Sequence, residues 1–475
     1  MTKSFHKYQI TELIEGYKKN FFSPTDVIED IVKRLKKINT DLNAFVYFDE
    51  ELVYKQARDS TKRLANSSPK GSLEGIPISI KDLIVTKDMP TTRGSYTKSL
   101  PVLSDYDAPV VSKLKNQGAI ILGKTASPEF GHKGTTKSRR FGETNNPWNL
   151  NLNSGGSSGG SCAAVASGLG PASIGTDGGG SIRIPCSFCG LFGHKPTFGK
   201  IPAYPISPFG TIANLGPITR TVMDSAIIMN SIASPDNLDW HSLPSQNIDY
   251  SNIRNNNILK KLKVGYSKFW GMEKFFDTNL MDKVVVEKIE ETISCLEKSG
   301  LAIREYKSIE WPHNPYEIFM VMWQAGAANL ARKINKGDFN KIDPTFLNLL
   351  EKGNQLSMFD LMDAETKRAE NASHMKKVFN DVNLLIGPTL PVLPFNTKID
   401  VPLGFRKNEL FSWLPFTYPF NLTKNPACNI NVNYSKSGLP IGMQIVGDIY
   451  DDKTCFELAF LIEEIMDISD KWPNL

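Results

Sequence analysis

Residues 153 to 190 read NSGGSSGGSCAAVASGLGPASIGTDGGGSIRIPCSFCG, two glycine-serine clusters separated by small apolar residues. Glycine at this density lets the backbone approach another group closely and adopt conformations closed to other residues. Serines among the glycines present small hydroxyls that can act as nucleophiles. A Gly/Ser run alone is ordinarily flexible linker. Here Ala163, Ala164, Val165 and Ala166 follow the first cluster, and Ala172, Ser173 and Ile174 precede the second. Both are packing segments, so the clusters sit inside a fold.

Working outward, Gly75-Ile76-Pro77-Ile78-Ser79-Ile80-Lys81-Asp82 alternates like a strand, with three isoleucines on one side and Ser79 and Lys81 on the other. Residues 108–116 predict a helix, and Ala119-Ile120-Ile121-Leu122 a buried strand. Near the start, Ser23-Pro24-Thr25 places a cap residue before a proline at the first helical position, ahead of Val27, Ile28, Ile31, Val32 and Leu35 at helical spacing. Residues 235–260 are polar and irregular. Beyond them the pattern predicts a strand over 262–266 and helices over 278–299 and 316–335. Late strands over 384–389 and 440–447 must rejoin the main sheet. Strand-helix alternation of this kind indicates an α/β protein.

With 475 residues, the chain can bury a large core. Hydrophobic residues at 40% and charged residues at 22% describe a soluble globular protein, and a net charge of +5 is small for this size. Lysines alternate with acids and form no basic stripe interleaved with aromatics, which argues against direct nucleic-acid binding. The start, MTKSFHKYQITELIEGYKK, lacks the apolar core of a secretory signal, and no apolar run is long enough to span a membrane. Cys186 and Cys189 form half of a zinc-type pair, but Cys162, Cys295, Cys428 and Cys455 stand alone. Reduced thiols and a cytoplasmic location are the expectation.

Two motif matches fail on context. Gly118-Ala119-Ile120-Ile121-Leu122-Gly123-Lys124-Thr125 satisfies the phosphate-loop pattern, yet its middle is a strand whose amides belong to a sheet rather than a phosphate cradle. Gly155-Gly156-Ser157-Ser158-Gly159 matches the serine-hydrolase elbow, which requires a histidine base downstream. None of His194, His241, His313 and His374 sits in a short glycine-flanked loop that would present an imidazole. The remaining serine chemistry uses lysine as the base, and a lysine can do this only where burial or positive neighbours keep it neutral. Lys81, on the polar side of an otherwise apolar strand, suits that requirement.

The combination of GGSSGGS, the serine of TDGGGSIR 24 residues after its first serine, and the lysine of GIPISIKD resembles the amidase signature family. The likeness also takes in GAIILGKT, FGETNNPWN, CGLFGHKPT, GPITRTV, GPTLPV and GLPIGMQIVG, and so spans residues 73–447. It implies an α/β fold with a large central mixed β-sheet covered by helices on both faces. A single domain over 1–475 follows, with its core at about 73–230, a variable substrate-side region at about 235–380 and returning strands at about 381–450.

By that resemblance Lys81 is the ultimate base, Ser157 the bridging serine after a cis peptide bond from Gly156, and Ser181 the acyl-forming nucleophile. The amides of Gly178, Gly179, Gly180 and Ser181 form the oxyanion hole, because a glycine run can turn successive N–H groups into one concavity. Ser181 also begins the short helix SIRIPCSFC. Asp177 and Arg183 brace the loop, and Ser158 supports it. Thr125, Ser127, Phe319, Trp323, Trp413 and Phe416 are candidate pocket residues.

The implied activity is hydrolysis of a linear carboxamide to a carboxylate and ammonia or an amine. No metal or organic cofactor is implied; the partner is a small-molecule amide, and a homodimer is the default for a soluble enzyme. The competing class is the glutaminase subunit of a tRNA-dependent Glu/Asp amidotransferase. Such subunits carry an acid for the substrate amino group just before an F-T-x-P-x-N segment. Here Trp413-Leu414-Pro415 precedes Phe416-Thr417-Tyr418-Pro419-Phe420-Asn421, with an apolar residue where the acid would stand. A non-catalytic binding relative is the third class, opposed by the presence of all three catalytic residues.

Overall fold

The computed structural model describes residues 4–254, 262–307, 309–468 and 470–475. Among them eleven strands form one mixed sheet: β1 (Phe45–Phe48), β2 (Pro77–Lys81), β3 (Ile120–Thr125), β4 (Ala172–Asp177), β5 (Phe192–Lys195), β6 (Asn214–Thr219), β7 (Val264–Tyr266), β8 (Ile303–Glu305), β9 (Leu384–Pro388), β10 (Ala427–Tyr434) and β11 (Pro440–Gly447). Their order across the sheet is β1-β3-β2-β4-β6-β5-β10-β11-β9-β7-β8. Strand β2 runs parallel to both of its neighbours, β3 and β4. All five of its residues are buried, as a parallel strand with both faces covered requires.

Both faces carry helices. A Cβ added at Gly193 on β5 would meet Cys186 on helix Arg183–Cys189, whereas the neighbouring His194 ring lies 4.6 Å from Phe456 on helix Asp452–Met466. Successive strand residues point to opposite sides, so the two helices lie on opposite faces. The late strands expected at 384–389 and 440–447 join the sheet as β9 and β11, antiparallel to each other. Strand β10, which the sequence reading did not single out, pairs antiparallel with β11 and with β5, setting Cys428 against His194.

Local chemistry sets most element ends. The Ser23 hydroxyl accepts the Asp26 N–H at 3.3 Å and the Asp26 carboxylate accepts the Ser23 N–H at 2.7 Å, a reciprocal cap that opens helix Pro24–Leu42. The strand expected at 119–122 is real and continues through Gly123, Lys124 and Thr125, which commits the phosphate-loop residues to the sheet. Two helices are shorter than their periodicity predicts. The one expected from residue 278 begins at Lys283, because the Asp282 carboxylate accepts the Val284 N–H at 2.9 Å and starts a new helix after the short turn Thr278–Leu280. The one expected over 316–335 spans Pro315–Ala331. Part of the irregular stretch at 235–260 lies outside the described residues.

Candidate active site

Three parallel strands end side by side: β3 at Thr125, β2 at Lys81 and β4 at Asp177. Ligand sites in open α/β sheets form beyond the carboxyl ends of such strands. Here the space is filled by the two glycine-serine loops. The first leads into α1 (Gly159–Ala166), the second into α2 (Arg183–Cys189). The Ser158 N–H donates to the Ser181 carbonyl at 3.2 Å and ties one loop to the other. The peptide bond between Gly156 and Ser157 is cis.

Lys81 is fully buried, and its Nζ meets hydroxyls alone: Ser157 Oγ at 2.7 Å, Thr176 Oγ1 at 2.8 Å and Ser158 Oγ at 2.9 Å. Burial pushes its pKa well below the ordinary lysine value, against a weaker opposing pull from Asp177. A neutral amine has two hydrogens and one lone pair, so one of the three hydroxyls must donate to nitrogen. Ser158 has another acceptor for its proton, the Thr176 carbonyl at 3.1 Å. The lone pair is therefore left to Ser157 or Thr176, and the arrangement can draw a proton from an alcohol.

Asp177 could have held that lysine charged, but it is engaged elsewhere. Its carboxylate accepts from both Arg183 Nε and Nη2 at 3.0 Å, from the Gly180 N–H at 2.7 Å, from the Ile182 N–H at 3.2 Å and from Asn421 Nδ2 at 2.9 Å. Burial alone would raise the carboxyl, but the Arg183 guanidinium beside it holds the pKa well below the usual range. All five Arg183 hydrogens find acceptors, the remaining three in Thr417 O at 2.9 Å, Gln444 Oε1 at 2.7 Å and Asn421 Oδ1 at 2.6 Å. A depressed carboxyl pKa stabilises the fold above the unfolded value and loses that contribution as pH falls below about 3.8. Removing one partner of a buried pair leaves an uncompensated charge. We expect Arg183→Met to lower stability by about 3–5 kcal/mol, read as the urea unfolding midpoint, with an unchanged midpoint contradicting the bracing role.

The Asp177–Arg183 pair fixes the loop Gly178–Ser181. Gly180 has φ +124°, and a Cβ there would come within 2.4 Å of Thr417 Oγ1, whose hydroxyl donates to the Gly179 carbonyl at 2.7 Å. One of the four expected oxyanion donors is redirected, since the Gly180 N–H points into the Asp177 carboxylate. The N–H groups of Gly178, Gly179 and Ser181 carry no hydrogen bond among the described residues. Helix α2 begins at Arg183 rather than Ser181, because the Ile182 N–H is also drawn to Asp177.

Ser157, Thr176, Gly178 and Ser181 open into one cavity of about 180 Å³. Its walls are mostly apolar: Leu83, Ile84, Val85, Phe130, Ile206, Pro208, Phe209, Leu215, Trp323 and Leu330. Of the candidate pocket residues, Trp323 lines the cavity. It comes from α3 (Pro315–Ala331), stacks on Phe209 with ring centres 3.8 Å apart, and presses on Gly178. Phe319, one turn earlier, sits behind Gly179 between Trp323 and Tyr418 rather than in the wall. Trp413 and Phe416 lie elsewhere: Trp413 stacks on Phe188 and meets the edge of Phe395, and Phe416 packs against Phe276. Thr125 shares a hydrogen bond with Ser161 at 2.6 Å, and Ser127 is buried; neither reaches the cavity. The sequence reading missed Thr176, Thr417, Asn421 and Gln444. Thr176, adjacent to Asp177, carried a signal in its position; the others depend on long-range contacts.

The fold and this site define a hydrolase that acts on carbon–nitrogen bonds in amides. The chain belongs to the amidase family, whose family model, described as Amidase, matches residues 26–456. It is 31% identical over 99% of its length to an acylamidase of Rhodococcus erythropolis, covering 98% of that protein. It is equally 31% identical, over 98% of its length, to one of the subunits of the glutamyl-tRNA(Gln) amidotransferase of Staphylococcus haemolyticus, covering 99% of that chain. The crystal structure of a bacterial aryl acylamidase of the amidase signature family superimposes with a TM-score of 0.88 at 26% identity, covering 99% of this chain and all of the other.

Proposed function

We propose that the protein hydrolyses linear carboxamides through an acyl-enzyme on Ser181, with Ser157 relaying the proton to Lys81. The observation that carries this reading is the buried Lys81 Nζ bound to hydroxyls without a carboxylate partner, 2.7 Å from Ser157. Ser181 Oγ attacks the carbonyl carbon and passes its proton to Ser157 as Ser157 passes its own to the lysine lone pair. The developing oxyanion is met by the unengaged amides of Gly178, Gly179 and Ser181. Each such donor is worth about 2.7–4 kcal/mol of barrier. As the tetrahedral intermediate collapses, Ser157 protonates the nitrogen and is resupplied by Lys81, so the C–N bond breaks and ammonia or an amine leaves. Water then attacks the ester, giving one proton to the same relay, and Ser181 recovers its hydroxyl as the carboxylic acid departs and releases its remaining proton to solvent.

The apolar cavity supports substrates with an apolar body. No acidic side chain lines it among the described residues, so nothing there would pair with the ammonium of an amino-acid amide. That feature favours a free-standing acylamidase over a glutaminase subunit, the reading suggested by the amidotransferase relatives. The test is a panel of aliphatic, aromatic and amino-acid amides with purified protein, alongside glutamine with and without cell extract. We expect turnover of aliphatic or aromatic amides by the protein alone. Glutaminase activity that appears only with extract would favour the subunit reading.

A further inference from the structure

Among the described residues that line the cavity, Arg93 carries the one charged side chain. It stands where the cavity meets an outer groove formed by Leu100, Leu103, Tyr106 and Asn329, and it lines both spaces. Its guanidinium is oriented by the protein. Nη1 donates to the Thr91 carbonyl at 3.1 Å and to the Pro101 carbonyl at 2.8 Å, which uses both hydrogens on that nitrogen and fixes the plane of the group. Nε and Nη2 have no partner among the described residues.

The carboxylate whose charge acts on Arg93 is Asp82, and it is occupied: it accepts the Thr92 N–H at 2.9 Å, the Thr92 hydroxyl at 2.5 Å and the Gly94 N–H at 3.1 Å. The side edge of a guanidinium, made by one Nε hydrogen and one Nη2 hydrogen, matches the two oxygens of a carboxylate. A fixed, half-buried fork with that edge open, in a mostly apolar cavity with no other charged side chain and shared with Ser181, has the form of a receptor for an anion.

We propose that the Nε–Nη2 edge of Arg93 receives a carboxylate at the far end of the substrate, so that the preferred amides combine an apolar body with an anionic terminus. This deepens the reading of Ser181 as the nucleophile and rests on it, because both groups face the same cavity. The carboxylate can belong to the acyl chain or to the leaving amine, and two substrate series separate these sources. The first is the α,ω-dicarboxylic monoamides from succinamate to suberamate, each paired with the neutral n-alkyl amide of equal length. The second is N-acylated ω-amino acids, each paired with its neutral N-alkyl amide.

The readout is the ratio of kcat/KM for the charged over the neutral member of each pair. A charge-assisted bidentate contact predicts a ratio of about tenfold or more at one chain length of one series. In Arg93→Gln that ratio falls toward one, while Arg93→Lys, a point charge without the fork, leaves it in between. A wild-type ratio at or below one at every length in both series overturns the proposal without any variant. An Arg93→Gln ratio equal to that of the wild type overturns it as well. Unimpaired hydrolysis of the neutral amides by Ser181→Ala would instead refute the nucleophile assignment, whatever the ratios show.

Discussion

Ser181→Ala is expected to lower kcat by roughly five to six orders of magnitude, the loss typical when the nucleophile of a serine relay is removed. The fold should be untouched, because the Ser181 hydroxyl makes no hydrogen bond among the described residues and the loop is held by Asp177, Arg183 and Thr417. The decisive measurement pairs steady-state kinetics with intact-protein mass after an acid quench. Wild type incubated with a slow amide or ester should carry the acyl group, and the variant should not. An acylated variant, or one within tenfold of wild-type kcat, would mean that another group attacks.

Lys81→Met is expected to cost a factor of roughly 10⁴ or more, since in the proposed relay the base and the bridging serine act as a unit. For the same reason a Lys81→Met, Ser181→Ala double variant should be hardly worse than Ser181→Ala alone. The pH profile carries the sharper prediction. The proposed relay needs the neutral amine, so kcat/KM should climb tenfold per pH unit below the folded pKa of Lys81 and level off above it. Burial holds that pKa well below 10.5, so the acid limb should lie well below pH 10.5 and should vanish in Lys81→Met. The stability linkage has the same origin. Between the folded pKa and the unfolded value near 10.4, the unfolded chain holds a proton that the native state has shed, and stability therefore rises with pH across that window. An acid limb at or above pH 10 would show an exposed, ordinary lysine and defeat the relay.

Much of this site is legible in the residues. Lys81, Ser157 and Ser181 sit in motifs whose composition already sets their backbone: a strand for the lysine, glycine-rich turns for the serines. The strands at β2, β3, β9 and β11 follow from short apolar runs bounded by glycine and proline. Where reading by residue fell short, the cause was a competing local bond or a distant neighbour. The helix expected at 278 starts late because Asp282 offers its carboxylate to the Val284 amide. Trp413 and Phe416 look like pocket aromatics by type and by their place near the F-T-x-P-x-N segment, yet they fill the core against Phe188 and Phe276. An aromatic side chain carries the same signature in either place.

What the sequence alone determined is the set of groups that the proposed chemistry uses: two alcohols and an amine on loops and a strand whose shapes are dictated within a few residues of each. The tertiary structure decided whether that chemistry has a usable environment. Lys81 is buried against hydroxyls of β4 and the first glycine loop, and Asp177 is engaged instead by Arg183 and by Asn421, the latter 244 positions away in the chain. The cavity wall is likewise assembled from segments near residues 83, 93, 130, 206 and 323. Desolvation and charge pairing depend on what lies within a few ångströms, and that distance is set by packing rather than by order along the chain.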